Sequence, residues 1–160
     1  LYRNNNDKNL KKFKELAEEL GFILSTTYAL VMPFERVINK LEGKPDQQTS
    51  QLEENLLVGI EEGIEISSLN IEEKSSCPFR ENQVNINADL SVPVCCIVFN
   101  KSQNIVSNNF LDSSLSEISN NKKDISTCKK CMNLRLPEYN MGYNKHLWKE
   151  RAQSKKSLDI

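Results

Sequence analysis

A mixed α/β chain is what the sequence predicts, and three patterns predict it. A helical stretch, a glycine and an apolar, β-branched stretch follow one another over residues 7–31, the rhythm of an α/β unit. Apolar residues then alternate with polar ones from Val84 and run on through Val92 to Phe99, as in a β-hairpin. Amphipathic helical stretches fill much of the remainder. At 160 residues the chain has room for one domain, or for one small domain with part of another.

Taken in order, the first element is a helix over residues 7–20. Leu10, Phe13, Ala17 and Leu20 recur at helical spacing, with Leu16 beside them and Lys and Glu opposite. Asn6 or Asp7 can cap its start, and Gly21 fits the left-handed position past its end. Phe22 to Leu24 and Thr26 to Val31 suit a buried strand. Leu1 to Arg3 read as the end of another strand, so the chain opens inside an element and is expected to be a piece of something longer. Pro33 starts a short helix, Phe34 to Leu41, which Gly43 ends. Lys44 to Ser50 reads as a linker, and Gln51 to Ile64 as an amphipathic helix weakened by Gly59 and Gly63. Ser67 to Ser76 is a polar connector.

From Cys77 the character changes. Val84 and Ile86 form one short strand, Asn87 to Leu90 the turn, and Val92 to Phe99 a more apolar second strand. Asn104 to Phe110 can add a weak third strand. Ser113 to Ile118 is a single helical turn, Asn120 to Thr127 a polar loop, and Cys128 to Cys131 a tight turn. Asn144 to Lys155 closes the chain as a basic helical tail. Leu10, Phe13, Phe34 and Val37 are expected in the core.

Bulk composition excludes several classes. Formal net charge is −1, so non-specific nucleic-acid binding has no electrostatic support. No apolar run approaches the roughly 20 residues that cross a bilayer. The five cysteines include one Cys-x-x-Cys, a spacing that reads as a metal site in a reducing compartment, the cytoplasm.

That pair is Cys128 and Cys131. Thiolates are soft ligands that suit iron–sulfur clusters or zinc rather than magnesium or calcium. A cluster takes four thiolates, so two more must come from elsewhere. Cys77 precedes the expected hairpin, and Cys95 and Cys96 lie on its second strand, which can return one of them close to Cys77. Side chains of adjacent strand residues point to opposite faces. Only one of Cys95 and Cys96 should therefore serve, the other being a small buried hydrophobe.

Cys77-Pro78-Phe79, Val84 to Asp89, Pro93 to Cys96 and the Cys128–Cys131 pair together resemble the auxiliary-cluster region of radical SAM enzymes. That region is called SPASM in its two-cluster form and twitch in its one-cluster form. The family pattern is a Cys, a hairpin with glycine at its turn, a second Cys five positions after that glycine, and a later Cys-x-x-Cys. Counting back from Cys95 gives Leu90 where the family has glycine, and makes Cys95, with Cys96 as the alternate, the matching ligand. No cysteine follows Cys131, which fits the twitch form. The resemblance implies one auxiliary [4Fe-4S] cluster held by Cys77, Cys95, Cys128 and Cys131. It implies four segments: residues 1–45 as the last unit of a radical SAM partial (β/α) barrel, 46–76 as a helical bridge, 77–135 as the cluster domain and 136–160 as a helical tail. Electron transfer or substrate placement would be its role, on a peptide or small-molecule substrate. S-adenosylmethionine and a second [4Fe-4S] cluster would belong to the longer protein. This chain lacks the Cys-x-x-x-Cys-x-x-Cys motif that holds that cluster, so it carries no catalytic residues of its own and should not cleave S-adenosylmethionine.

The competing reading is a non-enzymatic module stabilised by zinc on four cysteines. His146, the one histidine, is expected to be solvated, as are the pairs Lys122-Lys123 and Lys129-Lys130. Glu61, Glu62 and Glu65 form the wet side of a helix, and Trp148 and Tyr143 pack the tail onto the domain.

Overall fold

Helices dominate the residues that a computed structural model of the chain describes, namely 7–24, 29–72 and 76–158. The helices are α1 (Asp7–Glu19), α2 (Phe34–Leu41), α3 (Gln47–Glu54), α4 (Ile60–Ser68), α5 (Pro78–Glu81), α6 (Lys101–Asn104), α7 (Leu115–Asp124), α8 (Ser126–Asn133), α9 (Leu136–Met141) and α10 (Lys145–Leu158). Two short strands, β1 (Val92–Pro93) and β2 (Ile105–Ser107), make a single antiparallel pair, Val92 opposite Ser107 and Pro93 opposite Ile105. A mixed α/β composition is present, weighted heavily to helix. No helix among the described residues is long and apolar enough to cross a membrane.

One apolar core draws on α2, α4, α9, α10 and the segments around Val31, Leu57 and Val94–Val98. Phe34 and Val37 of α2, Leu57 and Ile60, Leu136 and Tyr139 of α9 and Trp148 of α10 are all buried in it. The Tyr139 ring lies 6.2 Å from Phe34 and 5.9 Å from Trp148, both tilted, an arrangement aromatic pairs favour. Helix α4 lets these rings in by way of Gly63. A Cβ there would come within 2.4 Å of Trp148 and 2.7 Å of Tyr139. The tail is fastened polar group by polar group as well. Trp148 Nε1 donates to Ser67 Oγ at 3.0 Å, and Asn144 Nδ2 donates to the Ile66 and Leu69 carbonyls that end α4.

Several expectations change at this level. The helix over 7–20 forms, but its apolar stripe is not core: Phe13 is 62 % exposed, and Leu16 and Leu20 also face outward. Phe22, Ile23 and Leu24 form no strand and are exposed, because no neighbouring strand among the described residues pairs with them. Leu1 to Asn6 and Ser25 to Tyr28, including much of the second expected strand segment, lie outside the described residues. The expected linker 44–50 instead begins α3, because the Asp46 side chain accepts the Thr49 N–H at 2.6 Å as an N-cap. The single helix expected over 51–64 is two, α3 and α4, broken before Gly59. Glu53 bridges the break, taking the Ile60 N–H at 3.0 Å while holding Lys40 at 3.0 Å.

The expected hairpin is rearranged. Val84 and Ile86 are exposed and form no strand, and β1 pairs instead with β2, in the stretch expected to hold a weak third strand. The turn at 87–90 does form: the Leu90 N–H reaches Asn87 O, and the Asn87 N–H reaches Ser91 O, both at 2.9 Å. The expected loop 120–127 is mostly helix. Ser114 and Glu117 make a full capping box that starts α7, and α7 runs to Asp124.

Candidate metal centre

Each cysteine reaches the site from a different kind of segment. Cys77 is buried and sits at the N-cap of α5, where Pro78 occupies the first helical turn. Cys95 follows β1 by two residues, in an irregular stretch rather than on the strand expected for it. Cys128 and Cys131 lie on α8, a helix rather than the expected turn, and their i, i+3 spacing puts both on one helix face.

These four cysteines line one small, largely apolar cavity of about 30 Å³, together with Phe79, Ile97 and other side chains of the same segments. The electrostatics place them as neighbours of one another. Burial, then the charges of Cys77, Cys95, Cys128 and Glu138, push the Cys131 thiol well above the ordinary range. Cys95 is pushed up to about 11, chiefly by burial and then by Cys96, Cys77 and Cys128. Cys128 is raised by burial too, against the opposing pull of Arg80. Such thiols stay protonated by themselves at neutral pH, and a bound metal would displace their protons. Among the described residues no group of three or more His, Cys, Asp or Glu side chains is gathered so as to hold a metal ion as it stands. The thiols are neighbours around a space of about one water, and a larger group would enter only as the walls part.

Cys96 turns away. It is exposed and is absent from this cavity, contrary to the expectation that the fifth cysteine is a small buried hydrophobe. The separation of Cys95 from Cys96 arises in a turn, not from strand alternation.

Two cations attend the cavity, and sequence reasoning placed one of them wrongly. Lys122, expected to be solvated, is 1 % exposed. Its ammonium donates to the carbonyls of Phe79, at 3.2 Å, and Gln83. Desolvation lowers its pKa, while Cys95, Cys128, Cys77 and Glu81 counter that loss. A buried lysine without a carboxylate in hydrogen-bond contact is costly, and the two carbonyls are what hold its ammonium here. Arg80 lines the cavity, interacts with Cys128 and pairs with Glu81 at 2.6 Å. The signal available in the sequence was the capping box at Ser114-x-x-Glu117: a helix begun there carries Ile118 and Lys122, four residues apart, on one buried face.

The remaining candidates lie elsewhere. His146 is exposed. Trp148 is buried as expected, and Tyr143 is 37 % exposed. Lys129 and Lys130 are exposed and paired, with Asp124 at 3.3 Å and Glu42 at 2.6 Å. Glu61 and Glu65 are exposed, and Glu62 binds Arg151 and Lys155 of α10.

The turn before the site has one further property. Leu90 has φ +64°, the left-handed conformation that glycine adopts without steric cost. Asp89 steadies this turn by accepting from the Ser91 N–H at 3.1 Å and from its hydroxyl at 2.5 Å. Comparison of the chain with protein families, with curated proteins and with solved structures finds no match.

Proposed function

We propose that Cys77, Cys95, Cys128 and Cys131 hold one [4Fe-4S] cluster, and that the chain is the twitch-type auxiliary-cluster part of a radical SAM enzyme. The observation that carries this reading is the shared cavity. Three separated segments deliver four cysteines to one wall, and the fifth is left at the surface. The donor set suits the group: four thiols in a small, largely apolar lining. Leu90 adds support, since its left-handed turn is the geometry for which the family pattern uses glycine. The uncovered apolar residues of 22–24 suit a segment that would face the rest of a barrel.

Within that reading the chain's own residues have distinct tasks. Cys128 and Cys131 present two sulfurs from one helix face. Cys77 and Cys95 close the site from α5 and from the stretch after β1. Lys122 and Arg80 offset the negative charge that four thiolates bring into a half-buried place. Phe79 and Ile97 keep it dry. When bound, such a cluster supplies a one-electron relay, with all four of its protein ligand positions filled.

Anaerobic reconstitution followed by metal and sulfide analysis tests the proposal. The expected result is about four irons and four sulfides per chain with a visible absorption band. One zinc, no sulfide and no colour would make the chain a zinc-stabilised module instead.

A further inference from the structure

Helix α1 carries an apolar stripe that stays open to solvent. Phe13, Leu16 and Leu20 follow one another at helical spacing and are 62 %, 49 % and 55 % exposed. Leu20 belongs to the stripe, because its N–H still bonds to the Leu16 carbonyl at 3.0 Å. Leu10 and Ala17, both half-buried, widen it along one side. A stripe of this kind on a surface helix is the seam along which helices pair.

The charges beside the stripe are sorted along the helix. Lys11, Lys12 and Lys14 come first, then Glu15, Glu18 and Glu19, all of them exposed. Glu18 and Glu19 stand in the last turn with no basic residue there, where the helix dipole disfavours negative charge. The pattern is therefore not one that favours the isolated helix. Lys11 and Glu15 lie opposite the stripe and pair with each other at 3.8 Å. The other four charges flank it. Lys14 and Glu18, four residues apart, stand along one edge, and Lys12 and Glu19, two turns apart, along the other. Each edge thus has a basic end and an acidic end. Leu16 is midway between Lys14 and Glu18, and within half a residue of midway between Lys12 and Glu19.

We propose that α1 pairs with α1 of a second copy of this chain, antiparallel and about a twofold axis at Leu16. In that arrangement like edges meet. Lys14 faces Glu18 of the second copy, Lys12 faces its Glu19, Phe13 packs near its Leu20, and the two Leu16 side chains meet at the axis. Every contact is made twice, as a twofold interface requires. A parallel pair would bring opposite edges together, Lys12 against Lys14 and Glu18 against Glu19, so the charge pattern selects against it. The paired surface is short, at the small end of the interface range, and the dimer is expected to be weak, with a dissociation constant on the order of 100 µM. The inference goes beyond the cluster proposal and does not depend on it.

Sedimentation velocity of the full chain tests it, over about 10–500 µM and with reductant present so that no disulfide links the copies. A concentration-dependent dimer is expected, and it should weaken as NaCl rises from about 50 mM to about 500 mM, because the flanking attractions are screened. Leu16→Lys should hold the chain monomeric with its circular dichroism unchanged, since that side chain is already half exposed. Lys12→Glu/Lys14→Glu and Glu18→Lys/Glu19→Lys should each weaken self-association at least about tenfold, and an equimolar mixture of the two should recover a dimer of one copy of each. The second of these variants puts positive charge at the helix C-terminus, which favours the helix, so a melted α1 does not account for its loss of pairing. A monomer across the whole range would leave this face to another segment or partner and overturn the proposal. So would a dimer that persists in Leu16→Lys, reversal variants that associate as the wild type does, or a mixture that fails to recover.

Discussion

Leu90 shows how much a single backbone angle can carry. A leucine at φ +64° accepts a steric cost of roughly 1–2 kcal/mol that glycine avoids. Leu90→Gly should therefore be more stable than Leu90→Ala by about 1 kcal/mol, the reverse of the usual order, measured by urea denaturation. Equal stabilities, or alanine ahead, would contradict the left-handed turn. Asp89 next to it supplies a pH test. The Ser91 hydrogen bonds, and then Lys101, depress its carboxyl to about 2. The folded value lies below the unfolded value of about 3.9, so its contribution is fully present above that range and is lost as pH falls toward 2. The stability difference between the wild type and Asp89→Asn should thus shrink from pH 5 to pH 2. A difference independent of pH would remove Asp89 from the turn. The sequence showed that this turn existed and that Leu90 stood where glycine is expected. It did not show that the backbone would keep the glycine conformation, because propensity at one position yields to the bonds around it, here Asn87 with Ser91 and Asp89 with Ser91.

Among elements, α4 is the joint between the middle of the chain and its tail. Gly63 sits under Trp148 and Tyr139 with no room for a methyl group. Gly63→Ala gains up to about 1 kcal/mol of helix propensity, but overpacking against two rings costs typically 1–3 kcal/mol. A net loss of about 1 kcal/mol or more is expected in denaturant unfolding, and a gain would mean that the rings are free to move. Glycine spacing alone read as weakness in a helix, whereas here Gly59 marks a break and Gly63 a close approach. Helices with a local signal were legible: α2 with its Phe34, Val37 and Ile38 face lies where the periodicity puts it, and α10 covers the basic tail. Strands were not. Val84 and Ile86 alternate as a strand should, yet β1 found its partner in Ile105–Ser107, because strand pairing is decided by tertiary neighbours that a sequence pattern does not contain. The extension of α7 to Asp124 was written in the Ser114–Glu117 capping box, and that box is what carries Lys122 inward.

Over the whole molecule, the site is a product of folding rather than of spacing. Cys128 and Cys131 would be neighbours in any helix. Cys77 and Cys95 join them only because α5 packs on α7, α7 on α8, and the Pro93–Asn100 stretch is tied to α2 through Glu35. The four cysteines that line one cavity are those the Cys-x-x-Cys pair and the interval from Leu90 to Cys95 picked out as candidates; that they hold a cluster is the proposal. The burial of Lys122 and the exposure of Cys96 were not readable, since each depends on which face of an element meets the core. A single set of variants tests the account most directly: Cys→Ser at each of the five positions, reconstituted anaerobically and assayed for iron and sulfide per folded chain. Serine at 77, 95, 128 or 131 should sharply reduce the bound iron and sulfide, while Cys96→Ser should match the wild type. A Cys96→Ser chain that loses its iron, or a Cys95→Ser chain that keeps it in full, would contradict the assignment of the site.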